Sequence, residues 1–374
     1  MAKTLSYAED VRLNYDPEKP AERFLSAMSP AAQSSTSERL PQGVPWPDAS
    51  KPTPRPLVPA PAESEDISKF AGFDAVVVTY TSAEAAAMAA LLTPGHPVST
   101  WYEYRHNIAE YVPIVTGKLA PFNSTDPRDA RYYHSLGLYF PCTVGKARIL
   151  LLKSGLHLDY DLEAVAPVIP INKMLTEVLQ TVKPKLVITT GTGGGIGADV
   201  KLGDVVVAGQ TLFDCNHLFA SETWAHTPYT TSAASANALA RITPALLKVN
   251  AAKIAAATPI AGRAQPKIWS GKTAKIVTTD VFAFDTASNN PFQLHGLGQA
   301  CDMGDAMVGQ VIQQFERIKW YAIRNASDPQ IPDSGGVTFK QADNEAGTIY
   351  RDYGAFTTAA SVIASWAIID ATFN

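Results

Sequence analysis

The sequence contains little cysteine and little charge. Its three cysteines, Cys142, Cys215 and Cys301, are far apart and odd in number, which excludes a disulfide scaffold and a cysteine-rich zinc site. Charged residues make up 18% of the 374, and 31 Lys and Arg against 35 Asp and Glu give a net charge of −4. This balance argues against a nucleic-acid partner that is bound by neutralising phosphates.

A long apolar run is also missing. No stretch of about 18 uninterrupted apolar residues occurs, so we expect no membrane-spanning helix. The nearest candidate, Phe356 to Phe373, is interrupted by polar residues: Thr357, Thr358, Ser361, Ser365 and Asp370. The first residues, Met1 to Val11, lack the apolar stretch of a secretory signal. We therefore expect a cytoplasmic protein without a membrane partner.

Proline is present in number but concentrated near the N-terminus. Of 27 prolines, 11 precede residue 62, and eight of these lie between Pro41 and Pro61. Repeated proline removes backbone donors and favours an extended chain. The pattern predicts a proline-rich N-terminal arm over residues 1–68, extended or disordered, followed by one domain over residues 69–374. An arm that lies across this domain or a neighbouring subunit, anchored through Trp46, is the alternative.

From Phe73 onward, apolar runs of strand length alternate with helix-forming segments. The pattern predicts strands over 75–80, 147–155, 186–191, 204–213, 274–284 and 321–328. Helices are predicted over 83–92, 171–182, 306–318 and the last 18 residues before Asn374. Because most strands are apolar on both faces, the sheet is expected to be largely buried and covered by helices.

The most distinctive segment, LVITTGTGGGIGADVKLGDVVVA (186–208), places glycines directly after a strand. A dinucleotide-binding loop would need a helix immediately after the glycines to hold the pyrophosphate. Here a turn at Leu202 to Asp204 and another strand follow, which argues against such a cofactor. We expect a glycine loop that lets a flat ring or a sugar approach its backbone, with the hydroxyls of Thr190 and Thr192 beside it. A tight turn between two strands is the structural alternative.

This segment resembles the signature of the purine nucleoside phosphorylase/uridine phosphorylase superfamily, closest to its methylthioadenosine/S-adenosylhomocysteine nucleosidase-like branch. Further segments agree in the family's order: VVVTYTSAEAAAM (76–88), KSGLHLDY (153–160), TTDVFAF (278–284), CDMGDAMVGQV (301–311) and IRNASDPQ (323–330). The resemblance implies a three-layer α/β/α sandwich with a central mixed sheet, in which residues 69–374 form the catalytic domain. It also implies a small-molecule nucleoside or nucleotide substrate and at least a homodimer. No cofactor is implied, and the seven His show no metal-ligand spacing.

Two carboxyl groups carry the chemistry that the resemblance implies. Asp328 ends the apolar strand, where burial favours the protonated form, and it would protonate the departing purine with Ser327 orienting it. Glu84 stands in the first turn of an Ala-rich helix and would activate water, although a Glu at a helix N-terminus also simply complements the dipole.

The resemblance also implies the groups that contact the substrate. Phe282 would stack on the base, with the glycine segment as the opposite wall, and Met303 would pack against the sugar. The wall residues are Thr192, Gly193 and Gly194. The nucleosidases carry a Glu directly after this Met to bind the ribose hydroxyls, whereas this chain has Gly304. The flanking Asp302 and Asp305 are expected to substitute for it.

The nucleophile follows from a missing arginine. A phosphorylase clamps phosphate with Arg side chains, and relatives place one just before the glycines, where this chain has Thr. This favours a nucleosidase that hydrolyses the N-glycosidic bond of a purine, with adenine expected. A phosphate-dependent phosphorylase and a non-catalytic nucleoside-binding or storage protein stay alternatives. Two extra segments would favour a 5′-phosphate if they reach the pocket, through Arg105, His106, Arg128, Arg131 and His134.

Overall fold

One mixed sheet of 13 strands organises the described part of the chain, and helices cover both of its faces. The structure, a computed structural model, describes residues 44–61, 66–115, 136–156, 170–217, 219–257, 260–280, 283–286, 289–331 and 338–374. Strand order along the main path is β1-β4-β5-β2-β6-β12-β11-β8-β9; β13 pairs with β6 and β7, β7 with β10, and β3 with β4.

The strands in chain order are β1 (Pro52–Pro54), β2 (Ala75–Thr79), β3 (Tyr102–Glu103), β4 (Gly137–Val144), β5 (Ala147–Ser154), β6 (Leu186–Gly195), β7 (Val205–Val207), β8 (Gln210–Asp214), β9 (Pro228–Thr230), β10 (Ile268–Trp269), β11 (Lys275–Thr279), β12 (Ala300–Asp302) and β13 (Lys319–Pro329). The α-helices are α1 (Ser82–Leu92), α2 (Ile108–Val115), α3 (Pro170–Val182), α4 (Ala236–Arg241), α5 (Pro244–Leu247), α6 (Ala251–Ala255), α7 (Asp305–Ile312) and α8 (Phe339–Phe373). Four short 3₁₀ turns are also described: Asp48–Ser50, Ile67–Phe70, Val98–Thr100 and Lys248–Asn250.

The side chains on the two faces of the sheet pack into two separate apolar cores. Successive side chains of a strand point to opposite faces, so Val76 and Val78 pack with α3 and α7. Ala75 and Val77 pack instead with α1 and α8. Because both faces are covered by helices, β2 is buried along its whole length. The three-layer α/β/α sandwich with a central mixed sheet is therefore confirmed.

The glycine-rich segment is a strand rather than the expected loop. β6 extends from Leu186 through Gly195 and pairs in parallel with β13 along its entire length. Gly194 and Gly195 also pair with β12 on the other side. Ladder hydrogen bonds therefore satisfy the glycine backbone on the β13 side, and the strand ends only at Gly195.

Other elements also differ from the sequence pattern: β11 ends at Thr279, α7 ends at Ile312, and α8 begins at Phe339. The apolar stretch 204–213 forms two strands: β7 ends at Val207, before Ala208 and Gly209, and β8 begins after them, at Gln210. β4 is not among the predicted strands, and a proline such as its Pro141 is uncommon in a central strand. The sheet tolerates this proline because β4 lies near the edge, between β5 and β1.

The described part of the N-terminal arm lies against the body. β1 pairs antiparallel with β4, and the rings of Trp46 and Trp366 are 4.8 Å apart. The indole Nε1 of Trp366 donates to the carbonyl oxygen of Ser50 at 2.8 Å. Residues 1–43 are outside the described residues, so the boundary at residue 68 stays a prediction.

Helix α8 crosses one apolar core. Its segment Asp352–Phe373 is long and apolar enough to span a membrane, but 83% of its apolar window is buried inside the protein. The polar side chains that interrupt it bond within the protein: Ser361 Oγ donates to Asn325 at 2.8 Å and Thr358 Oγ1 to Gly354 at 2.7 Å. The helix therefore acts as a core element of this fold.

Replacing Trp46 by Ala tests whether the arm stabilises the body. The substitution removes the ring contact with Trp366, and we expect the free energy of unfolding in urea to fall by about 2 kcal/mol. Lys51→Ala, in the same segment but with an exposed side chain, should change it by less than about 0.5 kcal/mol. Equal effects of the two substitutions would contradict a stabilising role for Trp46.

Candidate active site

The candidate site lies where β6 passes from one neighbouring strand to another. β2 pairs with β6 only as far as Thr189, and β12 pairs with it from Gly194. Between these two points the described sheet opens on one edge of β6, and a cavity occupies the gap. The space between its walls, open solvent at the mouth included, is about 710 Å³.

Residues from several elements line this cavity. They are Tyr80, Thr81, Glu84, Thr192, Gly193, Gly194, Thr279, Ala283, Cys301, Asp302, Met303, Gly304, Arg324, Ser327, Asp328 and Tyr350. A second, smaller cavity of about 290 Å³ adjoins it. The two cavities share Gly194, Ala283, Cys301 and Asp328, so Asp328 lies at their boundary.

The carboxylate of Glu84 joins β2, α1 and β6. Oε2 accepts from Thr79 Oγ1 at 2.8 Å and from the backbone N–H groups of Tyr80 and Thr81 at 2.8 and 2.9 Å. Oε1 accepts from the N–H and Oγ1 of Thr192 at 2.6 and 2.7 Å. Glu84 thus caps α1 and replaces the strand partner that β6 lacks beyond Thr189.

Gly191 makes the space for this carboxylate. A Cβ at position 191 would lie 2.3 Å from the carboxyl carbon of Glu84, far inside contact distance. Glycine at 191 is therefore required because the Glu84 carboxyl group lies against the backbone of β6.

A bulge in β13 places Asp328 at the cavity. Ala326 pairs with Gly193 and Asp328 with Gly194, so Ser327 is an extra residue in the ladder. In a regular strand Ser327 and Asp328 would point to opposite faces, whereas the bulge lets both line the cavity. Ser327 Oγ donates to Asp328 Oδ1 at 2.5 Å, which holds the carboxyl group in one orientation.

Arg324 is buried among three carboxylates. Its Nε and Nη2 donate to the two oxygens of Asp305 at 2.8 and 2.7 Å. Nη2 is also 3.0 Å from Asp302 Oδ2, and Nη1 is 3.4 Å from Glu84 Oε1. Burial alone would lower the pKa of the guanidinium, but the charges of Asp305 and Asp302 raise it well above its usual value.

Tyr80 fills the space beside Gly304. A Cβ at position 304 would lie 2.8–3.1 Å from the ring end and hydroxyl of Tyr80. The Tyr80 ring also lies under the Arg324 guanidinium, 5.3 Å away. An aromatic ring from the end of β2 thus takes the place that a larger side chain at 304 would need.

The structure brings most of the predicted residues to one cavity. Those lining it are Glu84, Thr192, Gly193, Gly194, Asp302, Met303, Ser327 and Asp328. Asp305 does not line it, because Asp305 lies behind Arg324 and binds the guanidinium through both oxygens. Phe282, Arg128, Arg131 and His134 lie outside the described residues. Arg105 pairs with Glu103 and His106 with Asp66, and neither Arg105 nor His106 is among the lining residues.

Sequence reasoning missed several lining residues, chiefly Tyr80, Arg324 and Tyr350. Arg324 could have been identified from the sequence, since burying a charge inside the apolar strand YAIRNAS is costly unless the charge is paired. Tyr350 carried none, because it reaches the cavity from α8, where its hydroxyl donates to Thr81 Oγ1 at 2.9 Å. Among the described residues no group of three or more His, Cys, Asp or Glu is arranged to hold a metal ion.

The pKa of Asp302 makes the stability of the folded protein depend on pH. Burial first, and then the charge of Asp305, raise the pKa of Asp302 to about 7, although Arg324 opposes this. Between the ordinary carboxyl pKa of about 4 and this value, the folded protein holds a proton that the unfolded chain releases. The resulting stability is complete below about pH 4 and is lost as the pH rises to 7.

We therefore expect Asp302→Asn to flatten the pH dependence of stability. Between pH 5 and pH 7 the unfolding free energy of the wild type should fall by up to about 3 kcal/mol more than that of the variant, measured by urea denaturation. Asp199→Asn, at an exposed position, should leave the wild-type slope unchanged. An identical slope in Asp302→Asn would show that Asp302 does not titrate in this range.

Comparisons with known proteins identify the family. The model of the phosphorylase superfamily matches residues 108–352, well over half of the 374 residues. No curated protein matches the chain. Among solved structures it is similar to the 5′-methylthioadenosine/S-adenosylhomocysteine nucleosidase of Neisseria meningitidis in complex with methylthio-immucillin-A, at 15% identity and a TM-score of 0.46 over 80% of this chain and 99% of that one.

Two further solved structures are similar at the same level. Futalosine hydrolase of Helicobacter pylori strain 26695 is 14% identical, with a TM-score of 0.46 over 80% of this chain and 98% of that one. The nucleosidase of Colwellia psychrerythraea 34H in complex with adenine is 13% identical, with a TM-score of 0.48 over 80% and 95%. The resemblance seen in the sequence motifs is confirmed by the family model, and the chain belongs to the phosphorylase superfamily.

Proposed function

We propose that this protein is a nucleosidase, which hydrolyses the N-glycosidic bond of a purine nucleoside or nucleotide to the free base and the sugar. The observation that carries the proposal is the presence of two carboxyl groups, Glu84 and Asp328, on the wall of one cavity. Breaking this bond needs an acid for the departing base and a nucleophile for the anomeric carbon, and one carboxyl group serves each need.

Asp328 is the proposed acid. A purine leaves far more readily when it is protonated, at N7, than as an anion. Ser327 Oγ binds Oδ1 of Asp328, and Oδ2 is the oxygen nearer to Gly194, 3.6 Å from where a Cβ of Gly194 would be. The base would thus lie at the boundary of the two cavities, over Gly193 and Gly194.

Glu84 is the proposed base for the attacking water. Its carboxylate is held at Thr192 and Asp328 pairs with Gly194, so the two groups are attached about 7 Å apart along β6. Both carboxyl groups are therefore held against the same short stretch of β6, which supports a division of roles between them.

The charge of the cavity wall supports water over phosphate. Glu84, Asp302 and Asp328 line the cavity. Arg324 is the basic residue among the described residues that line it, which include no Lys or His. Its guanidinium is already paired with Asp302 and Asp305. An incoming phosphate would meet positive charge that is already paired and the carboxylate of Glu84, which disfavours phosphorolysis.

The sugar would lie in the larger cavity, against Met303 and the Tyr80 ring. Of the two aspartates expected to replace the missing Glu at position 304, Asp302 lines this cavity and is the proposed contact for sugar hydroxyls. We assign Asp305 to holding Arg324, because both of its oxygens bind that guanidinium. The homo-oligomeric state, the cytoplasmic location and the stacking role of Phe282 stay predictions.

Base release without phosphate is the direct test. Incubation with adenosine, methylthioadenosine, S-adenosylhomocysteine and AMP, in buffers with and without phosphate, should yield free adenine from at least one of them in both buffers, measured by chromatography. Release that requires phosphate would indicate a phosphorylase instead. Binding without release from any of the four would favour a non-catalytic nucleoside-binding protein.

Substituting the proposed acid is the second test. Asp328→Asn keeps the shape but removes the proton donor, so kcat should fall by at least about 10²-fold. Ser327→Ala, which only removes the orienting hydrogen bond, should cost about 10-fold or less. Near-normal turnover in Asp328→Asn would contradict its role as the acid.

A further inference from the structure

The wall beside the proposed sugar position offers few hydrogen-bonding groups. It is formed by Tyr80, Asp302, Met303, Gly304 and Arg324, which we call the sugar wall. A buried sugar with two neighbouring hydroxyl groups needs a hydrogen-bond partner for each of them. The number of free partners on the sugar wall therefore decides how many hydroxyl groups the bound sugar can carry.

The guanidinium of Arg324 has no N–H group left for a sugar. Its Nε and Nη2 donate to Asp305, and Nη2 also lies 3.0 Å from Oδ2 of Asp302. Its Nη1 donates to Oε1 of Glu84 at 3.4 Å and to the carbonyl oxygen of Thr192 at 3.3 Å. A guanidinium has five N–H groups, and these contacts account for all of them.

Asp302 keeps one free acceptor position. Its Oδ2 accepts from the N–H groups of Gly304 and Asp305 at 3.1 and 2.8 Å, in addition to its contact with Arg324. Its Oδ1 accepts from Thr278 Oγ1 at 2.6 Å. Since a carboxylate oxygen has about two lone-pair sites, Oδ2 is fully occupied and Oδ1 can bind one more group. The raised pKa of Asp302, about 7, does not change this number, because a proton on Oδ1 replaces the free lone pair by one donor.

The rest of the sugar wall is poor in acceptors. Met303 carries a thioether, whose sulfur is a weak acceptor. Gly304 has no side chain, and a Cβ at that position would lie 2.8 Å from the ring end of Tyr80. The Tyr80 hydroxyl donates to the carbonyl oxygen of Gly304 at 3.5 Å, and 3% of Tyr80 is exposed. Among the described residues of this wall, one strong acceptor therefore remains, on Asp302.

We propose that the pair of Tyr80 and Gly304 makes this site selective for purine deoxynucleosides, an inference that rests on the proposed hydrolysis. A 2′- or 3′-deoxyribose carries one hydroxyl group on its ring, which Asp302 can bind. Ribose carries two, and the second would be buried against the aromatic ring without a strong partner. Burying a hydroxyl group without a partner weakens binding by about 5-fold or more. The wall thus selects the sugar by rejecting a second hydroxyl group.

Binding measures this selectivity apart from the chemical step. Asp328→Asn keeps the shape of the site and is expected to cleave slowly, so calorimetry can follow its binding of adenosine, 2′-deoxyadenosine and 3′-deoxyadenosine. At least one deoxynucleoside should bind about 5-fold more tightly than adenosine, or better. Adenosine that binds within about 5-fold of both deoxynucleosides, or more tightly, would overturn the proposal. The inosine series is used in the same way if the adenine series does not bind.

A carboxylate at position 304 tests the role of the pair. Gly304→Glu adds the carboxylate, and Tyr80→Ala makes the space for it. Relative to Tyr80→Ala alone, the double variant should lower the ratio of kcat/KM for the deoxynucleoside to kcat/KM for the ribonucleoside at least about 10-fold, because the new acceptor is charged. The intrinsic reactivities of the two sugars cancel in this comparison. A smaller change would overturn the proposal, and if the double variant does not fold, the binding measurement decides alone.

Tyr80→Phe separates the ring from its hydroxyl group. The variant keeps the ring that fills the space beside Gly304, so the same ratio of kcat/KM values should stay within about 3-fold of the wild-type ratio. A larger change would show that the Tyr80 hydroxyl itself contacts the sugar hydroxyls, which contradicts selection by the ring.

Thermal stability reports the packing of the pair without any substrate. Gly304→Glu alone places its side chain in the space of the Tyr80 ring, so the melting temperature should fall by at least about 3 °C. In the Tyr80→Ala background the same change should lower it by less than half as much. A fall of half or more would mean that the ring does not occupy this space, which overturns the proposal. Gly304→Ala, whose Cβ would also meet the ring, replaces Gly304→Glu if the latter does not fold.

The outcomes keep the selectivity apart from the function. If the wild type releases base and adenosine binds as tightly as the deoxynucleosides, hydrolysis stands and the proposed selectivity falls. If a deoxynucleoside binds more tightly but no base is released from any nucleoside, the selectivity stands for a nucleoside-binding protein and the proposed hydrolysis falls. If no nucleoside of either series binds, both proposals fall.

Discussion

The hydrogen bonds that converge on the Glu84 carboxylate are the constraint on which the site depends. They tie the end of β2, the first turn of α1 and the glycine half of β6 to one buried group. Removing a buried charge partner from such an arrangement commonly costs about 3–5 kcal/mol. Glu84 occupies the edge of β6 that a strand would otherwise cover. These hydrogen bonds therefore keep the gap between β2 and β12 open.

The second determinant is the charge balance around Arg324. This guanidinium neutralises Asp305 and Asp302 and reaches Glu84, so the acidic groups around the cavity can be buried together. The same pairing leaves Arg324 without a guanidinium edge for an anion. In the proposed function, this internal pairing of Arg324 favours water and a neutral sugar over phosphate.

Position 304 shows how one substitution changes a wall of the site. A glycine at 304 would leave a space empty if no other group replaced the larger side chain, but the Tyr80 ring fills that space. The cavity wall is therefore aromatic on one side and carries Asp302 on the other. In the proposed function, recognition of the sugar depends on this pair of residues rather than on one acidic side chain.

The sequence by itself determined the layered fold, because strand and helix periods are short-range properties that each segment carries alone. It also supplied the candidates Asp328 and Glu84, through the resemblance of the motifs that contain them to those of a known family. Only the tertiary structure decided how these groups are held: Glu84 and Thr192 are 108 residues apart, and Tyr80 and Gly304 are 224 apart. Whether the glycines form a loop or a strand was settled by pairing with β13, and the separate roles of Asp302 and Asp305 by the position of Arg324. Hydrogen-bond saturation and space filling depend on residues distant in the chain, and no local pattern encodes them.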